Sequence, residues 1–99
     1  MTNTTNSCGG YQPLILAKDF DDQIISAFEV VNTLVGVDYQ PLAVQYQVVA
    51  GMNYTFFCRA SVVIPEDNAY LAKVSVFASL PDKEGNITYV IRDIVTINP

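Results

Sequence analysis

A single change of hydrophobic period divides this chain. Between residues 17 and 36, "AKDFDDQIISAFEVVNTLVG", apolar side chains recur every three to four positions, at Phe20, Ile24, Ala27, Phe28, Val31 and Val35. That spacing predicts one amphipathic helix of about four to five turns. Asp19, Asp21 and Asp22 crowd its start. A cation site is the weaker reading of that cluster, because carboxylates are stabilised at the positive end of a helix dipole. Gly36 follows as a left-handed C-terminal cap.

After "VDYQP" the period becomes two. Leu42, Val44, Tyr46 and Val48 alternate with Ala43, Gln45 and Gln47, the pattern of a half-buried strand. Beyond Gly51, a second strand carries Tyr54, Phe56, Cys58, Ala60 and Val62 on one face. "PEDN" at 65–68 and "LPDKEGN" at 80–86 are turns, because they collect Pro, Asp, Asn and Gly. Between them Ala72, Val74 and Val76 mark a third strand, and "ITYVIRDIVTI" is a fourth, rich in β-branched residues. "YQPLIL" ahead of the helix suits an edge strand or an extended lead-in. The fold class that follows is α+β, with one long helix packed across a four- to five-stranded antiparallel sheet. Residues 1–8 form a polar leader with nothing to bury, and 9–99 form a single domain.

Composition narrows the function. The net charge is −5, from 10 acidic against 5 basic residues, and no basic run exists. Nucleic acid and anionic membrane surfaces are therefore disfavoured as partners. The chain contains no histidine, which excludes Ser–His and Cys–His nucleophiles and His-containing zinc sites. No phosphate loop, metal-ligand cluster or paired-carboxylate motif stands in their place, so an enzyme is not expected, nor a cofactor. "MTNTTNSC" has neither the basic nor the apolar region of a signal peptide, and the chain reads as cytoplasmic. Sequons at Asn3, Asn53 and Asn86 are then chemically silent. Cys8 and Cys58 suffice for one disulfide, but Cys58 alternates with apolar residues and reads as a buried free thiol. Cys8 sits in the leader, where oxidation would link two chains.

One stretch resists a purely structural reading. "QYQVVAGMNY", 45–54, sets Val48, Val49 and Ala50 directly before a glycine at a strand junction. Hairpin tips usually collect polar residues because they face water. The signature Gln-Val-Val-Ala-Gly at 47–51 arises by chance on the order of 10⁻⁴ per chain. With Gly9-Gly10 after a short leader, "LAVQY" at 42–46, Asn53-Tyr54 and "VFASLP" at 76–81, it resembles the cystatin family, and within it the intracellular stefin branch. The resemblance spans about residues 8 to 97. It departs from the family in a shorter connection after the helix, a longer loop at "VIPEDNAY" and a truncated C-terminal tail. Asp82 stands where the secreted branch has Trp, and two cysteines cannot form that branch's paired disulfides.

The resemblance implies a reversible, competitive, tight-binding inhibitor of papain-like, cathepsin-type cysteine proteases. Such inhibitors fill the active-site cleft with a wedge made from an N-terminal segment and two hairpin loops. Carried onto this chain, Gln47, Val48, Val49, Ala50 and Gly51 form the central edge. Leu80 and Pro81 meet the leaving-group side. Gly9, with Gly10 as the other register, lets the leader bend along the acyl side with Cys8 near an apolar subsite. The alternative is a non-inhibitory protein-interaction module on the same fold. A monomer is expected, with a domain-swapped dimer (exchange through the first hairpin) or a Cys8-linked dimer as alternatives.

Overall fold

The computed structural model describes residues 12–62 and 69–97. Its helix, α1 (Asp22–Glu29), is shorter than the periodicity predicts and continues only as a 3₁₀ turn, Val31–Thr33. Asp21 is its N-cap, its carboxylate accepting the Ile24 N–H at 2.9 Å, and Asp22 lies in the first turn. The acidic cluster thus has a structural explanation. Asp19 pairs with Lys18 at 3.0 Å on the exposed 3₁₀ turn Ala17–Asp19, a contact worth little in water.

The α-helix stops where the β-branched run begins. "VVNT" has low helix propensity, and the Thr33 N–H and hydroxyl both donate to the Val30 carbonyl, tightening the last turn. Two expected helical positions are therefore corrected. Phe20 precedes the helix in an extended conformation yet still meets Phe56 edge-on, with centroids 6.1 Å apart. Val35 lies beyond the helix and is 93% exposed. Gly36 does adopt positive φ, +93°, but three residues past the 3₁₀ turn, where it directs the chain into the sheet.

Among the described residues, five antiparallel strands follow chain order across one sheet: β1 (Ile15–Leu16), β2 (Val37–Val49), β3 (Gly51–Val62), β4 (Ala69–Ala78) and β5 (Tyr89–Thr96). The arrangement is consistent with a cystatin-like fold. β2 starts earlier than the alternating pattern, because Val37–Gln40 already pair with Arg59–Val62. A register shift between Pro41 and Ala43 leaves Leu42 as an extra residue. Pro41 has no N–H to give to a ladder. Across the bulge the helix-facing positions change from Tyr39 and Pro41, opposite Ala60 and Cys58, to Val44 and Tyr46, opposite Phe56 and Tyr54. Leu42, expected inside, is 41% exposed, and Ala43 is buried on the other face, opposite Phe57.

The core lies between the helix and the centre of the sheet. Ile24, Ala27, Phe28 and Val31 pack on Val44, Tyr54, Phe56, Cys58, Val74 and Val76. Phe56 is its hub, completely buried, with Phe28 edge-on at 4.9 Å and Tyr54 stacked at 5.9 Å. Such aromatic pairs add stability beyond their buried area. The alternation read in β3 and β4 holds here: Tyr54, Phe56, Cys58 and Ala60, and Ala72, Val74 and Val76, are all buried. Cys58 is a free thiol.

Candidate functional site

Strand directions gather three segments at one end of the sheet. β2 and β3 turn over at Ala50, with Val49 opposite Gly51 and Val48 opposite Met52. β4 ends at the same edge, because Ala78 pairs with Met52, and its loop to β5 carries Leu80 and Pro81. Followed backwards, β1 also runs towards this end, where the Gln12 N–H donates to the Tyr46 carbonyl at 2.9 Å. Cys8, Gly9 and Gly10 lie outside the described residues.

The tip is tight because of Gly51. Its φ is +116°, and a Cβ there would sit 2.4 Å from the Ala78 carbonyl oxygen and 2.9 Å from the Phe77 ring. Both the left-handed backbone and the close approach to β4 require glycine. The side chains before it point into water: Val48 is 50% and Val49 39% exposed, and Ala50 is exposed. Gln47 is half-buried opposite Asn53.

Leu80, 61% exposed, and Pro81, also exposed, lie on the leg of the second loop between its mouth at Ser79 and its turn at Asp82–Gly85. A groove of about 210 Å³ joins the two loops, lined by Gly51, Met52, Ala78, Leu80, Pro81 and Tyr89 among others. The sequence-derived set Gln47–Gly51 and Leu80–Pro81 is therefore brought together along one edge. Met52 and Tyr89 also line the groove, although neither belongs to that set.

Asp82 organises the second loop, a role that residue type alone did not single out. Its carboxylate accepts the N–H groups of both Glu84 and Asn86 at 2.9 Å. Its own N–H donates to the Asn86 carbonyl, and the Gly85 N–H to the Asp82 carbonyl. Asp-Lys-Glu-Gly is an Asx-turn pattern, so the signal was present in residue type and spacing together. Ser79 closes the mouth: its N–H donates to the Thr88 carbonyl, and its hydroxyl accepts the Thr88 N–H while donating to the Leu80 carbonyl.

This end offers a preformed apolar edge. Among the described residues, no group of three or more His, Cys, Asp or Glu is placed to hold a metal ion. No helix among them is long and apolar enough to cross a membrane. Burial pushes the Cys58 thiol up to about 12, the wrong direction for a nucleophile. Comparison with protein-family models, curated proteins and solved structures finds no match to this chain.

Proposed function

We propose that the chain is a cystatin-type inhibitor that occludes the active-site cleft of papain-like cysteine proteases. The observation carrying the proposal is the pair of exposed valines on a one-residue hairpin tip, flanked along the same edge by Leu80 and Pro81. Supporting it are the Gln47–Gly51 signature and the position of Gln12, whose N–H donates to the Tyr46 carbonyl near that edge.

The mechanism is exclusion. The tip between β2 and β3 is held against the end of β4 by a glycine that must remain close to Ala78, so it has little conformational entropy to lose on binding. Each valine contributes roughly 1.5–3 kcal/mol when an apolar cleft removes it fully from water. The exposed Leu80 and Pro81 extend the contact to the leaving-group side. The wedge covers the protease thiolate without aligning a peptide carbonyl for attack.

Titration of papain with the purified chain tests the reading, with inhibition expected below about micromolar concentration. Val48→Asp is expected to weaken it by about 100-fold or more, since burying an unpaired charge costs about 3 kcal/mol or more. Its circular dichroism should not change, because the Val48 side chain is half exposed. Absence of inhibition by the unmodified chain at micromolar concentration would instead favour a non-inhibitory interaction module.

A further inference from the structure

β5 is the last strand of the sheet, and among the described residues no strand pairs with its outer side. It leaves four large apolar side chains 42–45% exposed on or just past the strand: Val90, Ile94, Val95 and Ile97. Soluble proteins usually protect such an edge with like charges, proline or a bulge that bends it away. β5 contains a bulge and two charges, but both are arranged differently from a protective edge.

The register with β4 fixes which way each residue faces. Tyr89, Ile91, Ile94 and Thr96 pair with Ala78, Val76, Val74 and Ala72, the buried residues of β4's helix-side face. Val90, Asp93 and Val95 pair with Phe77, Ser75 and Lys73, which belong to the open face. Arg92 is the extra residue at the register shift, and its guanidinium lies 5.7 Å from the Phe77 ring centroid, on the open face as well. Read from Tyr89 to Thr96, the strand faces helix, open, helix, open, then open, helix, open, helix. This pattern is a mirror about the Arg92–Asp93 bond.

The chemistry mirrors about the same point. An antiparallel copy in that register sets Arg92 against Asp93, Ile91 against Ile94, Val90 against Val95 and Tyr89 against Thr96. Each pair then shares a face, and opposite charges and apolar pairs directly across a ladder are favourable. A regular strand does not do this, because a two-fold centred between residues would set one face against the other. The extra residue Arg92 removes that conflict. Shifting by one residue either way sets Arg92 against Arg92 or Asp93 against Asp93.

We infer that β5 is a self-recognition edge, pairing two copies of this chain antiparallel about a two-fold axis at the Arg92–Asp93 bond. The two sheets become continuous, and the hairpin tips at Ala50 lie at opposite ends. Unlike strand exchange through the first hairpin, this dimer leaves Gln47–Gly51 intact, and it stands independently of the protease reading.

Charge-swap pairing tests it. Sedimentation across a concentration series should show the chain approaching twice its 10.9 kDa mass. Arg92→Asp alone and Asp93→Arg alone should each weaken self-association at least about tenfold, since like charges then face each other. An equimolar mixture of the two variants should recover the dimer as a heterodimer. Amides of β5 in the unmodified chain should gain hydrogen-exchange protection as concentration rises. A chain monomeric up to about millimolar concentration overturns the inference. So do single variants that dimerise undiminished, a mixture that stays monomeric, or concentration-dependent protection confined to other strands.

Discussion

Gly51 carries two constraints at once, and a pair of substitutions separates them. Its φ of +116° disfavours any side chain, and the Ala78 carbonyl oxygen and Phe77 ring leave no room for a Cβ. Gly36 has a similar φ, +93°, but a Cβ added there would meet nothing within 4 Å. Gly36→Ala is therefore expected to cost about 1 kcal/mol from backbone strain alone. Gly51→Ala should cost more, about 2–3 kcal/mol, because the tip must also move off β4. Urea denaturation of both variants measures the difference. Equal costs would mean that the close approach has no energetic consequence. Only Gly51→Ala should also weaken protease inhibition, since it alone displaces Val48 and Val49.

Among the elements, the loop between β4 and β5 shows how one side chain substitutes for regular structure. Every backbone bond that Asp82 makes across the turn lies in water, so stability is a poor measure of its role. Asp82→Ala removes the acceptor for the Glu84 and Asn86 N–H groups, and water replaces it at a cost of roughly 1 kcal/mol or less. Amide exchange at Glu84 and Asn86 should accelerate several-fold, while exchange in β3 stays unchanged. Protease binding should also weaken, because Leu80 and Pro81 would have to be ordered on binding. If exchange at both amides is unaltered, the carboxylate does not hold the loop. The helix shows the opposite situation: its N-terminus is fixed by one carboxylate, Asp21, but its length is set by the β-branched run at its other end.

At the scale of the whole molecule, the core makes stability depend on alkaline pH. Burial raises the Cys58 thiol from 9.0 to about 12. Desolvation also raises Tyr54 and Tyr39 above their ordinary 10.0, with neighbouring ionisable groups adding to it. The unfolded chain releases these protons first, so ionisation favours unfolding. The stabilisation is fully present below about pH 9 and is lost as pH rises through that value towards 12. Urea midpoints measured across this range should be flat and then fall, and Cys58→Ala should delay the fall until the tyrosines ionise. Native Cys58 should resist alkylation at about pH 8 yet react promptly in denaturant. Labelling at the denatured rate would show that the core opens more readily than its packing implies.

Much was legible in the residues themselves. Period alone located the helix, the faces of β3 and β4, and the burial of Cys58, because each depends on local spacing. Val48–Ala50 and Leu80–Pro81 were legible as apolar residues at turns, and all five are exposed. The early start of β2, the exposure of Leu42 and the facing of Arg92 were not, because a bulge is decided by which residue of a neighbouring strand lies opposite. The clash awaiting any side chain at Gly51 likewise depends on Ala78, remote in sequence. Sequence by itself determined the class of fold and the chemistry available at its turns. Only the tertiary structure decided register, and register sets which side chains share an edge, both at the hairpin end and along β5.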